Sequence, residues 1–243
     1  MIMVISLNPN PETVTEINTQ SAEKAEIIYP CEDGEPLAES YDHLQVLLTT
    51  FTILTQYLKG QQAVVLADQF LYYIEGRPKA RLAPDVMVIF NVAPGGRGNY
   101  KIWEEGEVPA VIFEMTSEST RETDLGFKKS LYEQLGVQEY WLFDPKGEWI
   151  TEQLRGYRLD EEGVYRRVAD RNSQVLGLRL EVEGNLLGFY RQDTNEKLLT
   201  PDELFATVDE VTQRAEMAEQ RAEQEKQRAD HLAERLRSLG IEP

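Results

Sequence analysis

Apolar residues in the middle of this chain fall in short unbroken runs, and on either side they fall at helical steps. The runs are Val86-Met87-Val88-Ile89-Phe90, Ala110-Val111-Ile112-Phe113 and Tyr140-Trp141-Leu142-Phe143, each bounded by Pro, Gly or charge. Runs of that length predict buried strands. Upstream, Leu44, Leu47, Leu48, Phe51, Leu54, Tyr57 and Leu58 recur every three or four residues before Gly60, which predicts an amphipathic helix. Residues 62–75 are β-rich and read as two short strands. From 117 to 136 the helical period returns, with Ser119-Thr120-Arg121-Glu122 as a candidate cap and Gly136 as the stop. Residues 149–190 read as further strands, including Trp149-Ile150, that extend or cap the sheet.

Beyond Pro201 the pattern is helical throughout. Leu204, Val208, Val211, Ala215, Ala218, Ala222, Ala229, Leu232, Leu236 and Leu239 follow alternating four- and three-residue steps, the signature of a heptad seam. Its centre is alanine, so association through it is expected to be modest. Residues 6–38, rich in Asn, Pro, Thr and Glu, show no sustained period. The expected division is a flexible arm at 1–33, a domain at 34–199 and a coiled-coil helix at 200–243.

Composition changes this picture in three ways. The 243 residues carry a formal charge of −18, with 9 acids against 1 base in residues 1–42 and 11 against 6 in 201–243. An acidic chain repels nucleic acid at long range, although here much of the excess lies in the two ends. The single Cys31 excludes an intramolecular disulfide framework and fits a reducing compartment. No stretch approaches the ~20 apolar residues of a membrane span, so a cytoplasmic protein without membrane contact is expected.

The candidate chemistry lies at the strand ends. Asp85 opens one run and Glu114 closes the next; if the two pair antiparallel, both carboxylates meet at one edge of the sheet. Two such acids repel unless a cation lies between them, and carboxylate oxygens suit a hard ion such as magnesium. Asp124 and Lys128, four apart, share a helix face, as a site pair or a surface ion pair. Lys129 is expected to point roughly 100° away, toward solvent. Tyr132, one turn beyond Lys128, is either a site hydrogen-bond donor or a core residue. Glu39, at the start of the first helix, is either a macrodipole partner or a third acid aimed at the metal. The loop Ala93-Pro94-Gly95-Gly96-Arg97-Gly98-Asn99 lacks the Lys-Ser/Thr of a phosphate loop and reads as a connection. Arg155, Arg158, Arg166, Arg167, Arg171 and Arg179 form either a phosphate-facing surface or a solvated one.

The ordered set Pro84-Asp85, Phe113-Glu114-Met115-Thr116-Ser117-Glu118-Ser119-Thr120, Asp124 to Lys129 and Gly136-Val137-Gln138-Glu139-Tyr140-Trp141-Leu142-Phe143-Asp144-Pro145 resembles the Uma-type branch of the PD-(D/E)XK restriction-endonuclease-like superfamily. The resemblance runs from about residue 34 to 199. It implies an α/β fold with a mixed-sheet α-β-β-β-α-β core flanked by helices, one or two divalent ions (Mg2+ or Mn2+), and hydrolysis of DNA phosphodiester bonds. Asp85 and Glu114 match the two motif acids and would be the metal ligands. The motif lysine, two residues beyond Glu114, is replaced by Thr116. The lysine looks relocated to the following helix, with Lys128 the first choice, Lys129 the second, and Asp124 as its orienting partner; Glu39 matches the helical acid of the superfamily. A homodimer, formed partly through the terminal helix, would supply two sites for a duplex. The alternative is a catalytically inactive nuclease fold that acts as a binding or assembly module through its coiled coil.

Overall fold

The computed structural model describes residues 27–32, 34 and 40–240. Glu39 and most of the expected N-terminal arm lie outside the described residues.

Helix α1 (Tyr41–Tyr57) is capped by Ser40, whose hydroxyl accepts from the His43 amide at 3.3 Å. Its apolar stripe buries Val46, Leu47, Ile53 and Leu54. Strands β1 (Ala63–Ala67), β2 (Leu71–Tyr72), β3 (Arg81–Leu82), β4 (Val86–Phe90) and β5 (Tyr100–Lys101) follow, then the single turn α2 (Ile102–Glu105) and strand β6 (Val111–Met115). The segment before β7 (Glu139–Phe143) is helical but not uniform: α3 (Arg121–Thr123), a π-helical turn (Asp124–Lys128) and α4 (Lys129–Leu135). Gly126 sits in the π turn, and Gly136 ends α4 in the left-handed region at φ 84°. Thr120 does not cap this helix in the expected sense. Its hydroxyl instead accepts from the Ser117 amide at 3.1 Å, tightening the approach to the helix.

The main sheet has the order β1-β4-β6-β7-β8-β9, with β8 (Leu154–Leu159) and β9 (Tyr165–Val168) continuing it. All neighbours are antiparallel except β6 and β7, which the helical crossover makes parallel. Helix α1, strands β1, β4 and β6, the crossover helix and β7 thus follow the α-β-β-β-α-β order. Strands β10 (Asn172–Ser173), β11 (Leu178–Glu183), β12 (Leu186–Arg191) and β13 (Lys197–Leu198) form a separate antiparallel sheet, while β3-β2-β5 form a small third one. Trp149 and Ile150 are not a strand. Their amides donate to Asp144 Oδ2, which folds the segment into a turn.

Strand alternation splits the core in two. Val65, Val86, Val88, Val111, Phe113 and Trp141 face α1 and the β10–β13 sheet. Val64, Met87, Ile89, Ile112, Tyr140 and Leu142 face the opposite way, with Tyr132 of the crossover helix. Asp85 and Glu114 keep the parity of Met87 and Ile112, so both acids belong to the crossover-helix face. The chain ends in α5 (Pro201–Ser238), opened by a reciprocal Thr200–Glu203 capping box. None of its residues is buried, and Leu204, Phe205, Val208, Val211, Met217 and Leu232 are all exposed.

Candidate active site

The register Val86↔Phe113 between β4 and β6 carries one step further to Asp85 beside Glu114. The pair is interlocked through the backbone: the Met115 amide donates to Asp85 Oδ2 at 2.6 Å, and the Asp85 amide lies 3.4 Å from Glu114 Oε2. The structure therefore brings the two strand-end acids together at one edge of the sheet. Glu114 is buried, whereas Asp85 is partly open.

The crossover helix closes over them. Lys128 Nζ lies 2.9 Å from Glu114 Oε2 and 3.0 Å from Asp124 Oδ1, so one ammonium bridges a strand acid and a helix acid. Asp124 is completely buried, and its Oδ2 has no hydrogen-bond donor. Tyr132 donates to Glu114 Oε1 at 2.7 Å, and Tyr140 donates to the Asp124 carbonyl at 3.0 Å. Tyr132 is thus both a core residue and a site donor. The phenol pKa values of Tyr132 and Tyr140 are pushed well up, first by burial and then by the Glu114 charge, so both remain donors.

Three acids around one lysine leave an excess of negative charge in a water-poor place. Burial first, with the Asp85 and Asp124 charges adding to it, raises the Glu114 pKa to about 8 against the pull of Lys128. Burial by itself would lower the Lys128 pKa, but Glu114, Asp124 and Asp85 together hold it above the ordinary lysine value.

Lys129 does not face solvent as expected. Its ammonium lies 4.8 Å from the Tyr157 ring centroid and 5.9 Å from that of Tyr165, because β8 and β9 extend the sheet beneath the helix. Thr116 follows β6 on the site side; its amide donates to the Phe143 carbonyl at 2.7 Å, and its buried hydroxyl has no hydrogen-bond partner. Sequence reasoning missed His43. It lies on the buried side of α1, with Nε2 3.4 Å from Asp85 Oδ1. The available signal was one of only two histidines in the chain, lying among the stripe residues of the first helix. His43 and Asp85 sit where a groove of about 660 Å³ between α1 and β1 reaches the site.

The glycine-rich loop before β5 is tied to itself. Arg97 donates to the carbonyls of Gly95 and Ala93 and pairs with Glu105. The six arginines at 155–179 are similarly engaged. Arg155 and Arg167 pair with Glu152, Arg158 with Glu139, Arg166 with Asp160 and Arg179 with Glu181, while Arg171 reaches the Glu152 carbonyl. Among the described residues, no group of three or more His, Cys, Asp or Glu side chains already forms a metal-holding cluster, and no helix is long and apolar enough to cross a membrane.

Comparison with known proteins gives one family. The sequence model of Uma2, described as "Putative restriction endonuclease", matches residues 12–187. Among solved structures, the chain is similar to one titled as a putative nuclease belonging to DUF820 from Anabaena variabilis. That likeness has 15% identity and a TM-score of 0.42, and covers 71% of this chain and 84% of the other. No curated protein matches the chain.

Proposed function

The chain belongs to the Uma2 family, and from that premise we propose that it is a metal-dependent endonuclease hydrolysing phosphodiester bonds of DNA. One observation carries the reading: Asp85 and Glu114 meet at the sheet edge with a lysine ammonium 2.9 Å from Glu114. A carboxylate pair and a cation at one point are what phosphoryl chemistry needs, and the lysine comes from the helix instead of position 116.

The donor set suits a hard divalent ion in kind, since the site acids offer only oxygen and outnumber the cation among them. Asp85 and Glu114 would hold Mg2+ or Mn2+; once bound, such an ion polarises the phosphate and lowers the pKa of an attacking water. Lys128 stabilises the charge that develops on the phosphoryl oxygens. Asp124 orients Lys128 from one turn away, and Tyr132 fixes the Glu114 carboxylate by donating to Oε1. His43 steadies the more open acid, Asp85. Lys129 belongs to the Tyr157–Tyr165 packing and has no part in the chemistry. Glu39, outside the described residues, keeps only the accessory role that the resemblance implies.

The exposed apolar seam of α5 supports a coiled coil that pairs two copies, giving two sites for the two strands of a duplex. Truncation after residue 199 then shifts the protein toward monomer in sedimentation while the core stays folded. A full-length monomer at tens of micromolar rejects the pairing. The division into arm, domain and helix, and a cytoplasmic location, belong to the same proposal.

The test of the main reading is incubation of the full chain with supercoiled plasmid in magnesium, in manganese and in chelator, with Asp85→Ala alongside. Nicking or linearisation that needs the metal and Asp85 supports the nuclease. Thr116 at the motif position favours the second reading, an inactive binding module, and absence of metal-dependent cleavage on every DNA tested would select it.

A further inference from the structure

The six arginines of 155–179 are taken up by protein oxygens, but two members of a second basic group in the chain are not. That group lies on the β2–β3 hairpin, whose residues 70–82 carry Arg77, Lys79 and Arg81 against the single acid Glu75. Arg77 and Lys79 are exposed at its tip. Among the described residues no carboxylate pairs with either of them, although the chain as a whole carries −18. Other exposed cations of the described residues, Lys59 and Lys146 among them, also lack a carboxylate partner, so it is the position of the hairpin that singles out this pair.

The position of the hairpin follows from topology. Strand β1 ends at Ala67, whose partner across the sheet is Val86, the neighbour of Asp85. The chain leaves the sheet there, forms the hairpin and returns through Pro84 to Asp85. The Asp68 amide closes the base, 3.1 Å from the carbonyls of both Pro84 and Asp85. The hairpin therefore projects from the sheet edge that holds the acids. It is also braced. The Arg81 guanidinium lies 4.0 Å over the Phe70 ring and donates to the Tyr72 hydroxyl at 3.2 Å. Tyr72 in turn donates to the Pro30 carbonyl at 2.7 Å, and the Gly76 amide donates to the Tyr29 hydroxyl at 2.6 Å. A braced stem holds the two tip cations at a fixed offset from the site.

We propose that this hairpin is a DNA-backbone contact, with Arg77 and Lys79 engaging phosphates that flank the scissile one. The inference rests on the nuclease reading for its ligand. Lys79 is six residues from Asp85, so the tip reaches up to about 20 Å from the acids at ~3.3 Å per extended residue. That distance corresponds to about six base pairs of duplex rise. The contact supplies attraction where the rest of the chain repels the polyanion, and it carries no base specificity.

The experiment is fluorescence anisotropy of the full chain with a labelled duplex long enough to span that reach, across a salt series, once in calcium and once in chelator. The proteins are wild type, the double variant Arg77→Ala/Lys79→Ala, the charge-preserving Arg77→Lys/Lys79→Arg, and Arg166→Ala as an exposed but paired control. Loss of two phosphate contacts lowers the slope of log affinity against log salt by about two and weakens low-salt binding roughly tenfold. The charge-preserving variant restores both, and the control leaves both unchanged. Equal affinity and slope in the alanine variant and wild type overturn the inference, as does absence of wild-type binding in both conditions. Cleavage by wild type with hairpin-independent binding leaves the nuclease reading standing without this contact. Hairpin-dependent binding without metal-dependent cleavage does the reverse.

Discussion

Buried acids occur in two kinds of place in this protein, and their surroundings differ in what they leave unsatisfied. Glu139, at the far end of β7, is saturated. Arg158 and the Gln174 and Val175 amides donate to Oε1, and the Trp141 indole donates to Oε2. Asp144, just beyond the other end of the same strand, takes four backbone amides, from Lys146, Gly147, Trp149 and Ile150. Both acids hold loops to the sheet. Beside the partly open Asp85, Glu114 and Asp124 share one ammonium, one Asp124 oxygen lacks a donor, and burial with neighbouring charge raises the Glu114 pKa to about 8. A carboxylate ringed by donors is a structural fastening. A cluster short of positive charge is under electrostatic strain that a cation relieves, and such perturbation marks functional sites.

Substitution sharpens the contrast most at Glu139. Glu139→Ala strands Arg158 and three further donors, and is expected to cost about 3–5 kcal/mol in denaturant unfolding. A loss below about 1 kcal/mol would place Glu139 outside the structural class. Lys128→Ala should do the opposite. It should lower metal-dependent cleavage by about 10²–10³ at saturating substrate with a much smaller effect on metal affinity. Wild-type turnover in that variant would remove Lys128 from the mechanism.

The pH dependence of metal-free stability separates the two kinds of acid more finely. Glu114 has a folded pKa of about 8 against an ordinary value of 4.5. The folded state therefore binds its proton more tightly than the unfolded chain does. The resulting stabilisation is full below about pH 4.5 and is lost as pH rises through 8. In chelator, wild type should lose melting temperature between pH 5 and 8 relative to Glu114→Gln, and manganese should restore more at pH 8 than at pH 5. Parallel pH curves for wild type and Glu114→Gln would show the cluster to be balanced. The smallest effect is expected at Lys129, where alanine removes a cation–π contact worth about 0.5–1 kcal/mol and leaves cleavage near wild type. A large activity loss there would move the catalytic lysine one residue along.

Sequence periodicity and strand-end chemistry were sufficient for much of this molecule. Apolar runs, one opened by Asp85 and the next closed by Glu114, dictate strands, because unbroken hydrophobicity over four or five residues is satisfied by burial on both sheet faces. Antiparallel pairing then leaves the two acids at one edge. The four-residue spacing of Asp124 and Lys128 survives the π turn because that turn still keeps both side chains toward the sheet. The order of helices and strands was legible for the same reason: each rule involved is local, acting over three, four or two residues.

Tertiary structure alone decided which charges are matched. Nothing in the run 155–179 shows that Glu152 reaches both Arg155 and Arg167, or that Glu139, 19 residues before Arg158, binds it across neighbouring strands. The 100° step from Lys128 directs Lys129 toward solvent, but β8 and β9 put aromatic rings beneath it. His43 joins the site from a helix 42 residues before Asp85, and Trp149 and Ile150 become a turn because one carboxylate collects their amides. Ion pairs and hydrogen bonds form between whichever groups the fold brings within about 3 Å. Sequence distance does not encode that proximity, so the elements could be read from the chain while their partners had to be seen.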